Sequence, residues 1–155
     1  KAAQLAPSCF NKQPWRLVFV DAPEPLDALQ ATLMKGNEWA QQASMMIAVF
    51  GRKDLDCRLK KRTYYLFDTG LAVGQLMLRA TELGWVAHPI AGYDEEAAKT
   101  ALNIPDDMRL ITLLVIGKPA QTLPETLSEK ERHEELNRPP RLPFSQFAYR
   151  NRFSE

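Results

Sequence analysis

Ala6-Pro7-Ser8-Cys9-Phe10-Asn11-Lys12-Gln13-Pro14-Trp15-Arg16 is the stretch on which the reading of this chain turns. Pro7 and Pro14 fix φ at their own positions and disfavour helix at the residues before them, which predicts a stiff, extended loop. Ser8, Asn11 and Gln13 would stand on that loop as polar side chains able to hydrogen-bond the edge of a flat heteroaromatic molecule. Taken by itself, the more ordinary reading is a connector whose Ser and Asn serve the backbone of turns. Trp15, between a proline and an apolar run, is the kind of indole that packs a loop rather than one that meets a ligand.

Outward from the loop, apolar runs alternate with helical patterns. Leu17–Val20 predicts a first strand, and Pro25 opens a helix with Leu26, Leu29, Leu33 and Met34 at helical spacing. Gly36-Asn37 interrupts it, and residues 39–43 predict a short turn. Met45–Phe50 and Leu110–Ile116 are continuous apolar runs of strand length. Arg58, Lys60, Lys61 and Arg62 form the basic cluster of the chain, expected as a solvated helix face. Trp85–His88 predicts a short strand. Asp94 ahead of Glu95 and Glu96 predicts a capped helix that ends before Pro105.

Tyr64–Leu83 carries the longest helical pattern. Asp68, Gln75, Arg79 and Glu82 share one narrow face, so the remaining, apolar circumference predicts burial nearly all round. Gly70 and Gly74, four apart, each cost about 1 kcal/mol against Ala, a cost that makes sense where another backbone comes close. Gly84 stands where a helix C-cap belongs. After Pro119 the sequence turns polar and proline-rich. Ser128 with Glu131 predicts a capping box on an exposed helix. The aromatic tail, Phe144, Phe147, Tyr149 and Phe153, is expected to be buried against some surface.

Composition bounds the function classes. The chain has 155 residues, enough for one core, with ordinary hydrophobic and charged fractions of 45% and 25%. A formal net charge of +1 gives no electrostatic case for nucleic acid or an anionic membrane, and the apolar runs are too short to span a bilayer. Cys9 and Cys57 are too few for a disulfide framework, which points to a reducing cytoplasm. Neither a dinucleotide-binding nor a P-loop glycine pattern occurs, and no Cys or His spacing fits a metal site. A thiol–imidazole pair of Cys9 with His88 lacks an identifiable orienting residue.

Pro7-Ser8-Cys9-Phe10-Asn11-Lys12-Gln13-Pro14-Trp15 closely resembles the Pro-Ser-x-x-Asn-x-Gln-Pro-Trp segment of the FMN-dependent nitroreductase family. Two further stretches match in the family's order. Residues 67–84 resemble its central helix, and His88-Pro89-Ile90-Ala91-Gly92-Tyr93-Asp94 resembles its Pro-Ile-x-Gly-Phe flavin loop. Leu102-Asn103-Ile104-Pro105 and residues 114–119 follow suit, so the resemblance covers most of residues 1–119 and, more loosely, 138–153.

The resemblance implies an α/β (α+β) three-layer fold in a single domain over residues 1–155. It has a mixed central sheet flanked by helices, a core over 1–119 and an extended C-terminal arm over 120–155 that wraps onto a partner. It implies FMN as cofactor, NADH or NADPH as electron donor, and a homodimer with flavin at the subunit interface. The acceptor would be an electron-poor small molecule, a nitroaromatic, quinone or enone, reduced in a ping-pong cycle. Carried over residue by residue, Pro7, Ser8, Cys9 and Asn11, with Gln13 the weaker match, would contact flavin. Pro89, Ile90, Ala91 and Gly92 would lie against its ring. The backbone of Ala91 and Gly92 would face N5, and no side chain is assigned a catalytic role. Arg141, before Leu142-Pro143, resembles a phosphate-binding Arg of the family, with Arg138 a second candidate and Arg150 and Arg152 further ones. Asn37 falls near a family Asn beside the flavin.

Two departures stand out. Many members that reduce nitroaromatics carry an acid where Ala91 stands, which bears on substrate class. The family's Arg-Arg-Ser-x-Arg type segment, which holds the FMN phosphate, would precede Lys1-Ala2-Ala3-Gln4-Leu5, itself expected to be the end of a helix. Specialised branches of the family, for reductive dehalogenation or flavin breakdown, and a flavin-binding protein without turnover remain open as alternatives.

Overall fold

The structure is a computed structural model and describes residues 1–125 and 127–153. The chain divides into two compact units, Lys1–Gln121 and Thr122–Glu155. No helix among the described residues is long and apolar enough to cross a membrane.

The first unit is built on a four-stranded sheet of order β1-β2-β6-β5, from β1 (Arg16–Val20), β2 (Met45–Gly51), β5 (Val86–Ile90) and β6 (Arg109–Gly117). Helix α1 (Pro23–Gln30) follows β1, α2 (Tyr65–Glu82) precedes β5, and α3 (Glu95–Ala101) precedes β6. The central strands β2 and β6 are the two continuous apolar runs, as expected of strands covered on both faces. Their side chains alternate. Met46, Ala48 and Phe50 join Leu29 and Ala98 in one core, whereas Ile47 and Val49 pack with Val73, Leu76 and Met77 in another. The layers are therefore α1 and α3, then the sheet, then α2. A register shift at Val49/Phe50 leaves Ile111 unpaired and lets Leu110 and Leu113 face the same core.

The three-layer expectation holds, but the sheet is not mixed. Every pairing in it is antiparallel. Residues 21–44 explain the first of these. They leave β1 at Val20 and enter β2 opposite it, with Val20 paired to Met46. Helix α1 is too short to cross the sheet, and it stops at Gln30, so Leu33 and Met34 lie beyond it; Leu33 instead bridges Tyr93. The basic cluster is a hairpin rather than a helix face: β3 (Arg58–Leu59) pairs with β4 (Arg62–Thr63) across a turn with Lys60 at φ 58°. Residues 3–5 form a single 3₁₀ turn.

Helix α2 matches its predicted span, with Gly84 at φ 73° just past its end. Its burial differs from expectation. Asp68 is buried, while Phe67, Gly70, Gly74 and Leu78 form an exposed stripe, Phe67 at 62% and Leu78 at 65%. A Cβ added to either glycine would meet no atom within 4 Å.

In the second unit, α4 (Glu129–Leu136) carries the predicted capping box between Ser128 and Glu131. Phe144, Phe147, Tyr149 and Phe153 are exposed rather than buried, and pair edge-on as Phe144–Phe147 and Tyr149–Phe153.

Candidate functional site

The Pro7–Gln13 loop is a turn, not an extended segment. Cys9–Asn11 is one 3₁₀ turn, and Phe10, Asn11 and Gln13 have φ of 48°, 56° and 49°. Left-handed backbone at non-glycine residues costs of order 1 kcal/mol or more each and persists only where surroundings enforce it. The enforcement is visible. Ser8 Oγ accepts from the Gln13 N–H at 2.9 Å, and the Gln13 amide donates to Asn11 Oδ1 at 3.1 Å. Asp68, from the first turn of α2, accepts the Cys9 N–H at 2.6 Å. Trp15 packs with Ala3, Ala6 and Ala72 beneath the loop, as its flanks predicted. Ser8 thus holds the loop shut, while the Asn11 side chain and the ring of Pro7 face outward.

Cys9 and Cys57 are joined by a disulfide, so they are not the pair of reduced thiols their number led us to expect, and Cys9 is not paired with His88. His88 instead packs edge-on against Trp39. Asp56, beside the bridge, is buried. Its Oδ1 accepts the Cys57 N–H at 2.7 Å, and its Oδ2 has no partner among the described residues. Burial, and then the nearby Asp68 carboxylate, hold the Asp56 carboxyl above the usual range against the pull of the Cys57 N–H and Lys12. For an acid raised in the folded state, unfolding releases a proton once pH exceeds the ordinary value of about 3.9. Stability should therefore fall with rising pH from there up to the raised pKa, and Asp56→Asn should flatten that slope in pH-dependent denaturant melts.

Pro89 and Ile90 are the last residues of the edge strand β5, where a proline is tolerated. Ala91 is exposed and Gly92 half-buried where the chain leaves the sheet. The Gly92 carbonyl accepts from the Met34 N–H and from the Asn37 amide, both at 3.0 Å. Tyr93 donates its hydroxyl to the Leu110 carbonyl at 3.1 Å, and Glu95 accepts the Leu110 N–H at 3.0 Å, so both pin the loop's far end to β6. Burial and the neighbouring Glu95 push the Tyr93 hydroxyl up to about 12, so it stays a donor. The N–H groups of Ala91 and Gly92 make no hydrogen bond among the described residues. A Cβ at Gly92 would run into the Asn37 amide. Asn37→Ala and Gly92→Ala should each cost about 1 kcal/mol through the same lost bond. The double variant should cost less than their sum, because the vacated amide leaves room for the methyl group; a double-mutant cycle by denaturant unfolding measures this.

No hydrogen bond links Pro7–Gln13 to Pro89–Gly92 among the described residues. Arg138 and Arg141 are exposed in the second unit. A cleft of about 460 Å³ lies elsewhere, between Lys1–Gln4, Leu17, Met45 and Leu76. Its walls are overwhelmingly apolar, which gives it size without evident chemistry.

The Nitroreductase family model matches residues 25–118, and the chain belongs to that family. A Mycolicibacterium smegmatis protein described as an uncharacterized 15.4 kDa protein is 32% identical over 85% of this chain and 86% of its own length. The putative NAD(P)H nitroreductase YdgI of Bacillus subtilis is 29% identical over 76% of this chain and 74% of its own. A solved oxidoreductase containing FMN superposes with a TM-score of 0.80 at 30% identity, covering 99% of this chain and 78% of that one.

Proposed function

We propose that the protein is an FMN-dependent NAD(P)H oxidoreductase that works as a homodimer. FMN, when bound, supplies hydride acceptance and release at N5; the chain supplies position and electrostatics. The observation that carries the reading is the pair of unengaged N–H groups at Ala91 and Gly92. Their loop is clamped from behind by Asn37, Met34 and Tyr93. That is a preorganised donor edge of the kind a flavin ring atom requires. Gly92 fits it because a side chain there would displace the Asn37 amide that clamps the loop. Pro89 and Ile90 would form the floor beneath the ring.

The outward Asn11 side chain, oriented by the Gln13 amide on a loop held rigid by Ser8, Cys9 and Asp68, suits the pyrimidine edge of a flavin bound by the partner subunit. Arg138 and Arg141 would hold the phosphate through charge-assisted bonds. The two-step cycle would take a hydride from NADH or NADPH and pass it to an electron-poor small molecule, a nitroaromatic, quinone or enone. Ala91 places no acid beside the acceptor, so any proton needed by the product would come from solvent.

Purification with the native N-terminus tests this. The expected protein is yellow, and NADH or NADPH bleaches it anaerobically, with colour restored by a quinone. A colourless protein that FMN cannot reconstitute would overturn the reading.

A further inference from the structure

Three side chains meet behind the Pro7–Gln13 loop, and the flavin reading uses only one of them. The Sγ atoms of Cys9 and Cys57 and a carboxylate oxygen of Asp56 lie within 4.8 Å of one another. The bridge spans 48 residues of sequence with its Cα atoms 5.9 Å apart. Cys57 is buried and Cys9 half-buried. Asp56 is 6% exposed and keeps one carboxylate oxygen without a partner among the described residues. Leaving such an atom dry is costly for an anion and far less so for a neutral carboxyl. Asp68 across the gap repels the anion, against the pull of the Cys57 N–H and of Lys12. Nothing in the spacing of two distant cysteines, one of them preceded by an aspartate, joins these groups.

We propose that Cys9–Cys57 is a redox-active disulfide that exchanges with an exogenous dithiol, with Asp56 as the acid that protonates the leaving Cys57 sulfur. The proposal does not depend on flavin. A thiolate of the dithiol attacks Sγ of Cys9, the less buried of the two cysteines. A mixed disulfide forms at Cys9, the Cys9–Cys57 bond breaks, and its electron pair stays on Cys57. A bare thiolate at the buried Cys57 would be costly, so transfer of the Asp56 proton makes it a neutral thiol. The second sulfur of the dithiol, having lost its own proton, then attacks the mixed disulfide and releases Cys9, which takes up a proton. The dithiol is oxidised to a disulfide by two electrons, Cys9 and Cys57 are reduced to two thiols, and Asp56 is reprotonated from solvent. Because Cys9 sits between Ser8 and the left-handed Phe10, the bridge also ties the loop's strained turn to the 52–57 segment, and reduction releases that tie.

The test uses the full chain. Isolated in air, the protein should have no alkylatable cysteine until dithiothreitol is added, and then two. Asp56→Asn should slow reduction by dithiothreitol at least tenfold and remove one ionisation from the pH–rate profile of the exchange. Brief exposure of the unmodified protein to glutathione, read by peptide mass spectrometry, should place the mixed disulfide on Cys9. This second measurement holds even where the variant fails to fold. Two freely alkylatable thiols in the air-isolated protein, with or without a stoichiometric zinc ion, would overturn the proposal. So would an adduct mainly on Cys57, or an unchanged rate in a folded Asp56→Asn.

Discussion

If the proposed homodimer pairs through α2, Phe67→Glu/Leu78→Glu should leave the protein monomeric and strip it of flavin. Phe67, Gly70, Gly74 and Leu78 recur at intervals of three and four, so they share one side of α2. That stripe is exposed in the single chain, although it is as apolar as a core face. Contiguous apolar surface of this kind marks an interaction site. In a two-fold dimer each side chain is buried twice, once per subunit. Four large side chains at about 1.5 kcal/mol each give about 6 kcal/mol, or roughly 10⁴-fold in dissociation constant. The glycines supply a control with the opposite sign. A Cβ on Gly70 or Gly74 meets nothing within 4 Å among the described residues, so Gly→Ala should raise the stability of the monomer by up to about 1 kcal/mol. At a closely packed helix pair the same methyl groups should weaken dimerisation. Sedimentation equilibrium, with the 450 nm flavin absorbance followed in parallel, reads all of these. A double variant that remains a yellow dimer would remove α2 from the interface.

The same helix shows which features of the chain were legible in its sequence. Its span, its terminal glycine and the two central strands were readable, because long periodic or continuous apolar segments leave few alternatives. Its environment was not. Asp68 shares the spacing of Gln75, Arg79 and Glu82, yet it is covered by the Cys9 backbone from 59 residues away. Helical periodicity says which residues share a face, not what lies on it. The strand directions were hidden for a related reason. The pattern of strand, helix and strand reads like a parallel crossover, and only the return path of residues 31–44 makes β2 antiparallel to β1. At the site, Gly92 and Asn37 were each visible as residues of interest, but their contact crosses 55 positions. The disulfide crosses 48. The hairpin at 58–63 was misread because a short basic run has no period to distinguish a helix face from two exposed strands.

Gly51→Ala should be the most damaging single-methyl change in the protein, and it should act on the loop as well as the core. Gly51 ends β2 and is buried where the Pro7–Gln13 loop rejoins the sheet. A Cβ there would lie 2.8 Å from the Pro14 carbonyl oxygen, closer than such atoms approach in folded proteins, and 4.0 Å from the Tyr65 ring. Neither neighbour yields easily. Pro14 is fully buried with φ fixed by its ring, and β2 is held by β1 and β6 on both sides. Overpacking against backbone therefore belongs at the upper end of its usual cost, about 3 kcal/mol, which for a chain of this size lowers Tm by roughly 10 °C. Relief must come from movement of Pro14, and with it the turn that Ser8 and Asp68 hold. Leu113→Ala separates the two effects. It empties a fully buried site in the middle of the sheet and should also cost about 3 kcal/mol, with no contact to the loop. Both variants should melt early, but only Gly51→Ala should also lose flavin affinity, measured by fluorescence titration at a temperature where both remain folded. Wild-type melting of Gly51→Ala would show that Pro14 moves freely, and the loop could not then be the rigid element its hydrogen bonds describe.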